Sequence, residues 1–200
     1  SYIGNSHLVI MSSDLESKVQ GNLVKDQTII KNPRKRNELE PKGYGETTPG
    51  IYGLNMIETL YLLYSKKLKL NKGKTTIDFD GLMQTCIKSN ADILTKFLIF
   101  RDLRTRGYVI KDGFGFGSDF RVYERGHFGT KSAKYLVFAL NEGTQEKIGQ
   151  IQKNIYEITQ MGKEPIVAVI ERRGEVIYYK ISKMSFQENK SELKMKDFKF

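Results

Sequence analysis

Apolar and polar positions alternate sharply in the middle of the chain. Phe120 and Val122 are separated by Arg121 and followed by Tyr123, the period-two pattern of a half-buried strand whose polar face carries an arginine beside a tyrosine. A glycine-punctuated polar segment, residues 126–132, then leads into an almost wholly apolar run, Tyr135–Leu140. The pair predicts a β-hairpin, and a polar loop joining two strands is a common home for functional residues.

Upstream, the pattern is helical. Asn55 and Glu58 have the spacing of a capping box, and Ile57, Leu60, Tyr61, Tyr64 and Leu68 recur at helical intervals behind it. Asp80 is expected to start a second helix with Leu82, Met83 and Ile87 inward. Asn90 is expected to cap a third, running through Phe97 and Leu103 to a stop at Gly107. Before these, residues 7–11 form a short apolar run that pairs as a strand with residues 28–31, and residues 31–50 read as a loop holding Pro33, Pro41, Pro49 and a basic patch at 34–36. Downstream, residues 108–110 suggest a strand. The GFGFG run at 113–117 lies between strand-like segments instead of opening a helix, so it reads as a turn and not as a dinucleotide fingerprint. Ile148, Ile151, Ile155 and Ile158 make the apolar stripe of a helix capped by Thr144 and ended by Gly162. The continuous apolar run 166–170 reads as a covered central strand, and 175–181 as a last strand.

The predicted fold is α/β, of the α+β two-domain kind. A small N-terminal α+β domain spans 1–92, and a C-terminal domain with a mixed sheet flanked by helices spans 93–186. A polar basic tail occupies 187–200. Composition narrows the function. Lys and Arg number 33 against 23 Asp and Glu, a formal net charge of +10, which favours a polyanionic partner. A single cysteine, Cys86, cannot close an intramolecular disulfide, and His7 and His127 are the whole histidine complement, so a zinc site is not expected. No apolar run approaches a membrane span and no leader-like segment opens the chain, so a soluble, cytoplasmic protein is expected.

The chemistry that remains is metal-free. Metal-dependent nucleases need clustered carboxylates, whereas Asp119, Glu124 and Glu171 are scattered among arginines. A Ser–His–Asp set has no nucleophile elbow to support it. RNA cleavage needs less, because RNA carries its own nucleophile in the 2′-OH and the protein supplies a base, an acid and a cation. Tyr123 on the polar strand face and Lys163 at the helix–strand junction are usable parts, and no cofactor is called for.

The stretch FLIFRDLRTRGYVIKDGFGFGSDFRVYERG, residues 97–126, resembles the archaeal tRNA-splicing endonucleases, with their KDLRxRG helix end, YVVK-like strand, KYGxDF turn and VY strand. KYLVFAL at 134–140 is similar to the strand after that family's catalytic loop, and residues 163–181 to its closing strand pair. Residues 43–70, with a YG turn before an E-x-L-Y-L helix, are similar to its N-terminal domain. The resemblance implies a two-domain subunit of a four-unit assembly that cuts precursor tRNA at bulge–helix–bulge junctions. It implies 2′,3′-cyclic phosphate and 5′-hydroxyl products, made without metal by a Tyr–His–Lys set. Tyr123 matches the tyrosine and Lys163 the lysine. The histidine position falls on Ser132, which cannot serve as imidazole does. His127, five residues earlier in the same loop, is then the candidate displaced acid. Where the family carries an arginine that stacks on a bulge base, this chain has Tyr156, and tyrosine can stack as well. Arg121, Arg125, Lys131 and Lys134 are further candidates for RNA contact. An acidic loop that docks into a neighbouring subunit is matched only weakly by residues 141–146. Retention of Tyr123 and Lys163 favours a catalytic subunit, alone or with another endonuclease chain. Loss of the histidine favours a structural subunit of a heterotetramer, and an RNA-binding module outside tRNA processing is the third reading.

Overall fold

A computed structural model describes residues 18–140 and 145–182. The apolar run 7–11, the Thr144 cap, the segment 141–144 and the basic tail from 187 lie outside these residues. Within them are two sheets that share one helix-filled core.

The N-terminal sheet begins with a hairpin that the hydrophobic pattern did not announce. β1 (Val19–Val24) pairs antiparallel with β2 (Gln27–Ile29) through a turn in which Lys25 takes a φ of 55°. β1 lies parallel to β5 (Leu68–Lys72), and the sheet order is β3-β4-β2-β1-β5-β6, with β3 at Glu46–Thr48, β4 at Ile51–Leu54 and β6 at Thr75–Ile77. Between β2 and β3, the segment expected to be loop contains a helix, α1 (Pro33–Leu39), and a short 3-10 turn at Glu40–Lys42. Two of the prolines that suggested a loop, Pro33 and Pro41, instead start these elements, and Pro49 lies in the turn between β3 and β4. Pro33 occupies the first turn, where its missing N–H is not needed, and the Asn32 side chain accepts from the backbone N–H groups of Arg34 and Lys35.

α2 (Met56–Tyr64) has the predicted capping box, with Asn55 accepting from the Glu58 N–H at 2.8 Å and Glu58 accepting from the Asn55 N–H at 3.1 Å. It ends earlier than expected. Lys66 turns left-handed at φ 58°, and Leu68 enters β5 as a buried sheet residue. A leucine four residues past Tyr64 continues a helical stripe and also begins an alternating strand, so periodicity alone could not separate the two. α3 (Phe79–Ser89) is capped by Asp78, two residues before the expected Asp80.

α4 (Ile93–Thr105) joins the halves. It packs on α2 and α3 from one sheet and on β7, β9, β10 and β11 of the other. Leu60, Phe97, Phe100, Phe120, Val122, Val137 and Ala168 accordingly fall in one buried cluster. Gly107, at φ 89°, ends the helix with its N–H on the Arg104 carbonyl.

The second sheet has the order β11-β10-β9-β8-β7, comprising β7 (Val109–Asp112), β8 (Phe120–Tyr123), β9 (Tyr135–Leu140), β10 (Glu164–Ile170) and β11 (Val176–Lys180). β9 and β10 run parallel through α5 (Gln145–Gln160), and the other neighbours are antiparallel. β9 is apolar throughout because both faces are covered: Val137 and Ala139 meet the α4 cluster, while Leu136, Phe138 and Leu140 meet Ile151, Ile155 and Ile158 of α5. On β8, Phe120 and Val122 face α4, which puts Arg121 and Tyr123 on the α5 face. The described residues thus form an α+β architecture with two mixed sheets.

Candidate active site

β8 ends at Tyr123 where β9 and β10 begin. Val122 pairs with Tyr135, and Tyr135 with Glu164, so one residue beyond the paired register Tyr123, Lys134 and Lys163 fall in a row across three neighbouring strands. The Lys134 N–H on the Val122 carbonyl and the Glu164 N–H on the Lys134 carbonyl, each at 2.9 Å, hold that row together. Strand alternation puts all three on the α5 face, with Tyr123 and Lys163 two strand spacings apart, about 10 Å. Two residues distant in sequence, Tyr123 and Lys163, are therefore brought to the same end of one sheet.

Their present partners are local. Lys163 follows Gly162, which turns the chain out of α5 at φ 70°, and its Nζ donates to the Ala133 carbonyl at 2.6 Å. The Tyr123 ring meets Phe128 edge to face, with centroids 5.1 Å apart. Both contacts brace the loop between β8 and β9, so each residue has a structural use apart from chemistry.

Glu124 is the hub of that loop. Its Oε1 accepts from Lys134 Nζ at 2.7 Å and from the Tyr135 hydroxyl at 3.4 Å, while its Oε2 lies 3.3 Å from His127 Nδ1. The hydrogen bond from Lys134 holds the Glu124 carboxyl below its usual range, and the same bond raises the Lys134 ammonium. On the other side of the His127 ring, Nε2 is 3.4 Å from Lys131 Nζ. Two backbone bonds set this spacing: His127 N–H to the Glu124 carbonyl at 3.1 Å, and Lys131 N–H to the His127 carbonyl at 2.9 Å. Ser132, where the resemblance puts a histidine, is exposed.

The residues expected at RNA are dispersed. Arg121 is drawn back toward β3, with one guanidinium nitrogen 3.5 Å from Glu46. Arg125 lies over the Tyr108 ring at 5.8 Å. Tyr156 is 58% exposed on the outer side of α5. The scattered carboxylates have structural partners: Asp119 takes Lys96 at 2.9 Å and the Ala139 N–H at 2.7 Å. Among the described residues, no three His, Cys, Asp or Glu side chains gather so as to hold a metal ion.

Sequence reasoning missed a second polar centre. Lys111, 6% exposed on β7, reaches into the N-terminal half, where its Nζ meets the Gly45 carbonyl at 2.9 Å, the Gly43 carbonyl at 3.4 Å and Glu58 Oε1 at 3.3 Å. Glu58, 1% exposed, also takes the Gly45 N–H on both oxygens at 3.1 Å. Burial raises the Glu58 carboxyl, and Lys111 pulls against that rise. The signal was present as a lysine closing the apolar strand Tyr108–Val109–Ile110, but its partner 53 residues upstream was not legible.

Comparison with known proteins follows the same two halves. Residues 93–178 match the tRNA intron endonuclease catalytic C-terminal domain, and residues 19–83 match the N-terminal domain of the same family. The tRNA-splicing endonuclease of Thermococcus gammatolerans is 30% identical over 143 residues, 72% of this chain and 84% of that protein. The chain belongs to the tRNA intron endonuclease family. The Thermococcus onnurineus tRNA-splicing endonuclease is 29% identical over 177 residues, 88% of this chain and 100% of that one. That of Methanococcus maripaludis is 28% identical over 170 residues, 84% and 96% of the two chains. Cleavage of introns from precursor tRNA is the function of this family. Among the described residues, no helix is long and apolar enough to cross a membrane.

Proposed function

We propose that this chain is a subunit of a cytoplasmic endonuclease that cuts precursor tRNA at bulge–helix–bulge exon–intron junctions without metal. The observation that supports it best is the row Tyr123–Lys134–Lys163 at one end of the C-terminal sheet, in a chain that matches both domains of the family.

In this reading the RNA 2′-oxygen attacks the adjacent phosphorus, and the bond from phosphorus to the 5′-oxygen breaks. The products carry a 2′,3′-cyclic phosphate and a 5′-hydroxyl. Tyr123, in its phenolate form, takes the 2′-OH proton. Lys163 leaves the Ala133 carbonyl to stabilise the negative charge that gathers on the phosphorane oxygens. His127 returns a proton to the 5′-oxygen, standing in for the histidine that position 132 lacks. Exposed Arg125 and Tyr156 contact the RNA backbone and a bulged base, and Arg121 joins them by leaving Glu46. The two-domain division near residue 92 belongs to the same reading, as does assembly into a four-unit particle with copies of itself or a second chain.

A structural-subunit reading has its own support. Ser132 is exposed where an acid is needed, and Tyr123 and Lys163 both brace the loop beside it. Retention of the two side chains therefore favours neither role by itself. The test is cleavage of a bulge–helix–bulge precursor by the purified chain in EDTA. If Tyr123→Phe and Lys163→Ala each slow it on the order of 100-fold, the catalytic reading stands. Cleavage that needs an added second chain, and is then indifferent to Tyr123→Phe, makes this the structural subunit. Sedimentation at micromolar concentration tests assembly, and a monomer there points to a partner chain.

A further inference from the structure

The loop that carries Ser132 in place of the family's histidine holds a three-residue arrangement of which the reaction outlined above uses only His127. Glu124, His127 and Lys131 are stacked by consecutive turns, so the imidazole lies between a carboxylate on its Nδ1 side and an ammonium on its Nε2 side. The contacts, at 3.3 Å and 3.4 Å, favour one tautomer through the chemistry of the two partners. A carboxylate only accepts, so Nδ1 carries the hydrogen. An ammonium only donates, so Nε2 presents its lone pair. The carboxylate is itself fixed, because Lys134 and the Tyr135 hydroxyl occupy its other oxygen. Arg125, the remaining cation of the loop, is turned away onto Tyr108. In this arrangement the ring has no proton to give at Nε2, although Glu124 would stabilise a ring protonated at both nitrogens.

We propose that Lys131 holds His127 idle in the free chain, and that an RNA phosphate releases it by drawing Lys131 away. Lys131 is exposed on a loop beside the Tyr123–Lys134–Lys163 row, where a bound RNA strand brings phosphate oxygens. A phosphate competes for the ammonium with a full negative charge, whereas Nε2 offers only a neutral lone pair. Once Lys131 has moved, Nε2 takes a proton from solvent and Glu124 stabilises the imidazolium. That proton then goes to the departing 5′-oxygen, leaving neutral imidazole with its hydrogen on Nδ1. Lys131 thus acts as a positioning residue that ties proton donation to substrate binding. The inference rests on the reading of His127 as the proton donor.

The test reads the ring directly. In nitrogen-15 NMR of imidazole-labelled protein near neutral pH, with His127→Gln identifying the resonances, the free chain is expected to show a protonated Nδ1 and a bare Nε2. Lys131→Met is expected to move the Nε2 signal toward the protonated position. In the wild type, a bulge–helix–bulge RNA with 2′-deoxy sugars at the cleavage sites is expected to move it the same way. Glu124→Gln is expected to weaken the preference for hydrogen on Nδ1, which Lys131 alone then maintains. An Nε2 that is already protonated in the free chain overturns the proposal, as does an Nε2 signal that Lys131→Met leaves in place. Because the RNA is not cut, these spectra stand or fall apart from whether His127 serves the 5′-oxygen. That question is answered by cleavage with His127→Gln.

Discussion

Glu58 and Lys111 are 1% and 6% exposed, and between them they meet the backbone of Gly43, Gly45 and Asn55 as well as each other. Glu124 and Lys134 also form a close carboxylate–ammonium pair, but each keeps about a third of its side chain in solvent. The first pair ties α2 and the glycine turn of the N-terminal half to β7 of the other sheet. The second lies at the mouth of the loop beside Tyr123 and Lys163. The difference lies in what water can do. A buried pair that loses one partner is left with a charge nothing can solvate, so it acts as a fixed joint. An exposed pair can exchange its partner for water or phosphate at little cost, so it can take part in binding. The chain uses the same two residue types for architecture in one place and for an adaptable rim in the other.

That contrast can be broken by substitution. The largest effect is expected at the joint, where Lys111→Met leaves the Glu58 carboxylate buried without its cation and costs about 3–5 kcal/mol in denaturant unfolding. A loss below about 1 kcal/mol would mean that water reaches Glu58. This loss depends on pH, and its sign follows from the raised Glu58 carboxyl. A carboxyl raised by folding binds more protons in the folded state, so stability falls as pH rises through that window. Lys111→Met widens the window and is expected to be weakest near neutrality and to recover as the pH is lowered.

Next in size is the open site. Tyr123→Phe or Lys163→Ala should slow cleavage on the order of 100-fold, equivalent to about 2.7 kcal/mol, with far smaller changes in the unfolding midpoint. Equal losses of stability and activity would assign both residues to bracing the loop. At the entry to α2, Asn55→Ala removes the capping box and should lower stability by about 1 kcal/mol, read from the same unfolding curves. The smallest effect is expected for Lys134→Met, which lets the Glu124 carboxyl rise toward its ordinary range, as carboxyl carbon-13 titration would show. A carboxyl lowered by folding adds stability above its unfolded pKa and loses it as pH falls through the folded one. This variant should therefore lower the neutral plateau of the stability curve slightly, flatten the acid limb, and converge with the parent chain at low pH.

The elements legible in advance were those whose pattern had one meaning. The Asn55–Glu58 box, the Phe120–Val122 alternation and the Ile151–Ile155–Ile158 stripe each appeared as predicted. Leu68 was misplaced because its spacing suits both a helix and a strand, and α1 was missed because proline both ends loops and begins helices. Of the candidate site, Tyr123 and Lys163 were named from the sequence, and the structure brings them to one sheet end. The engagement of Lys163 with the Ala133 carbonyl and the position of Glu124 between Lys134 and His127 were not legible, since each depends on which turns close the loop.

By itself the sequence determined the order of elements in the C-terminal half, the basic surplus, the family and the identity of the residues available for chemistry. These are properties of local spacing and side-chain type, which do not need a partner to be defined. Only the tertiary structure decided that Lys111 is a buried joint, that Arg121 turns to Glu46, and that His127 lies between a carboxylate and an ammonium. A charged side chain takes its role from what replaces its water, and for Lys111 and Arg121 those partners come from distant parts of the chain. At His127 they lie only three and four residues away, but on turns whose course the spacing did not foretell.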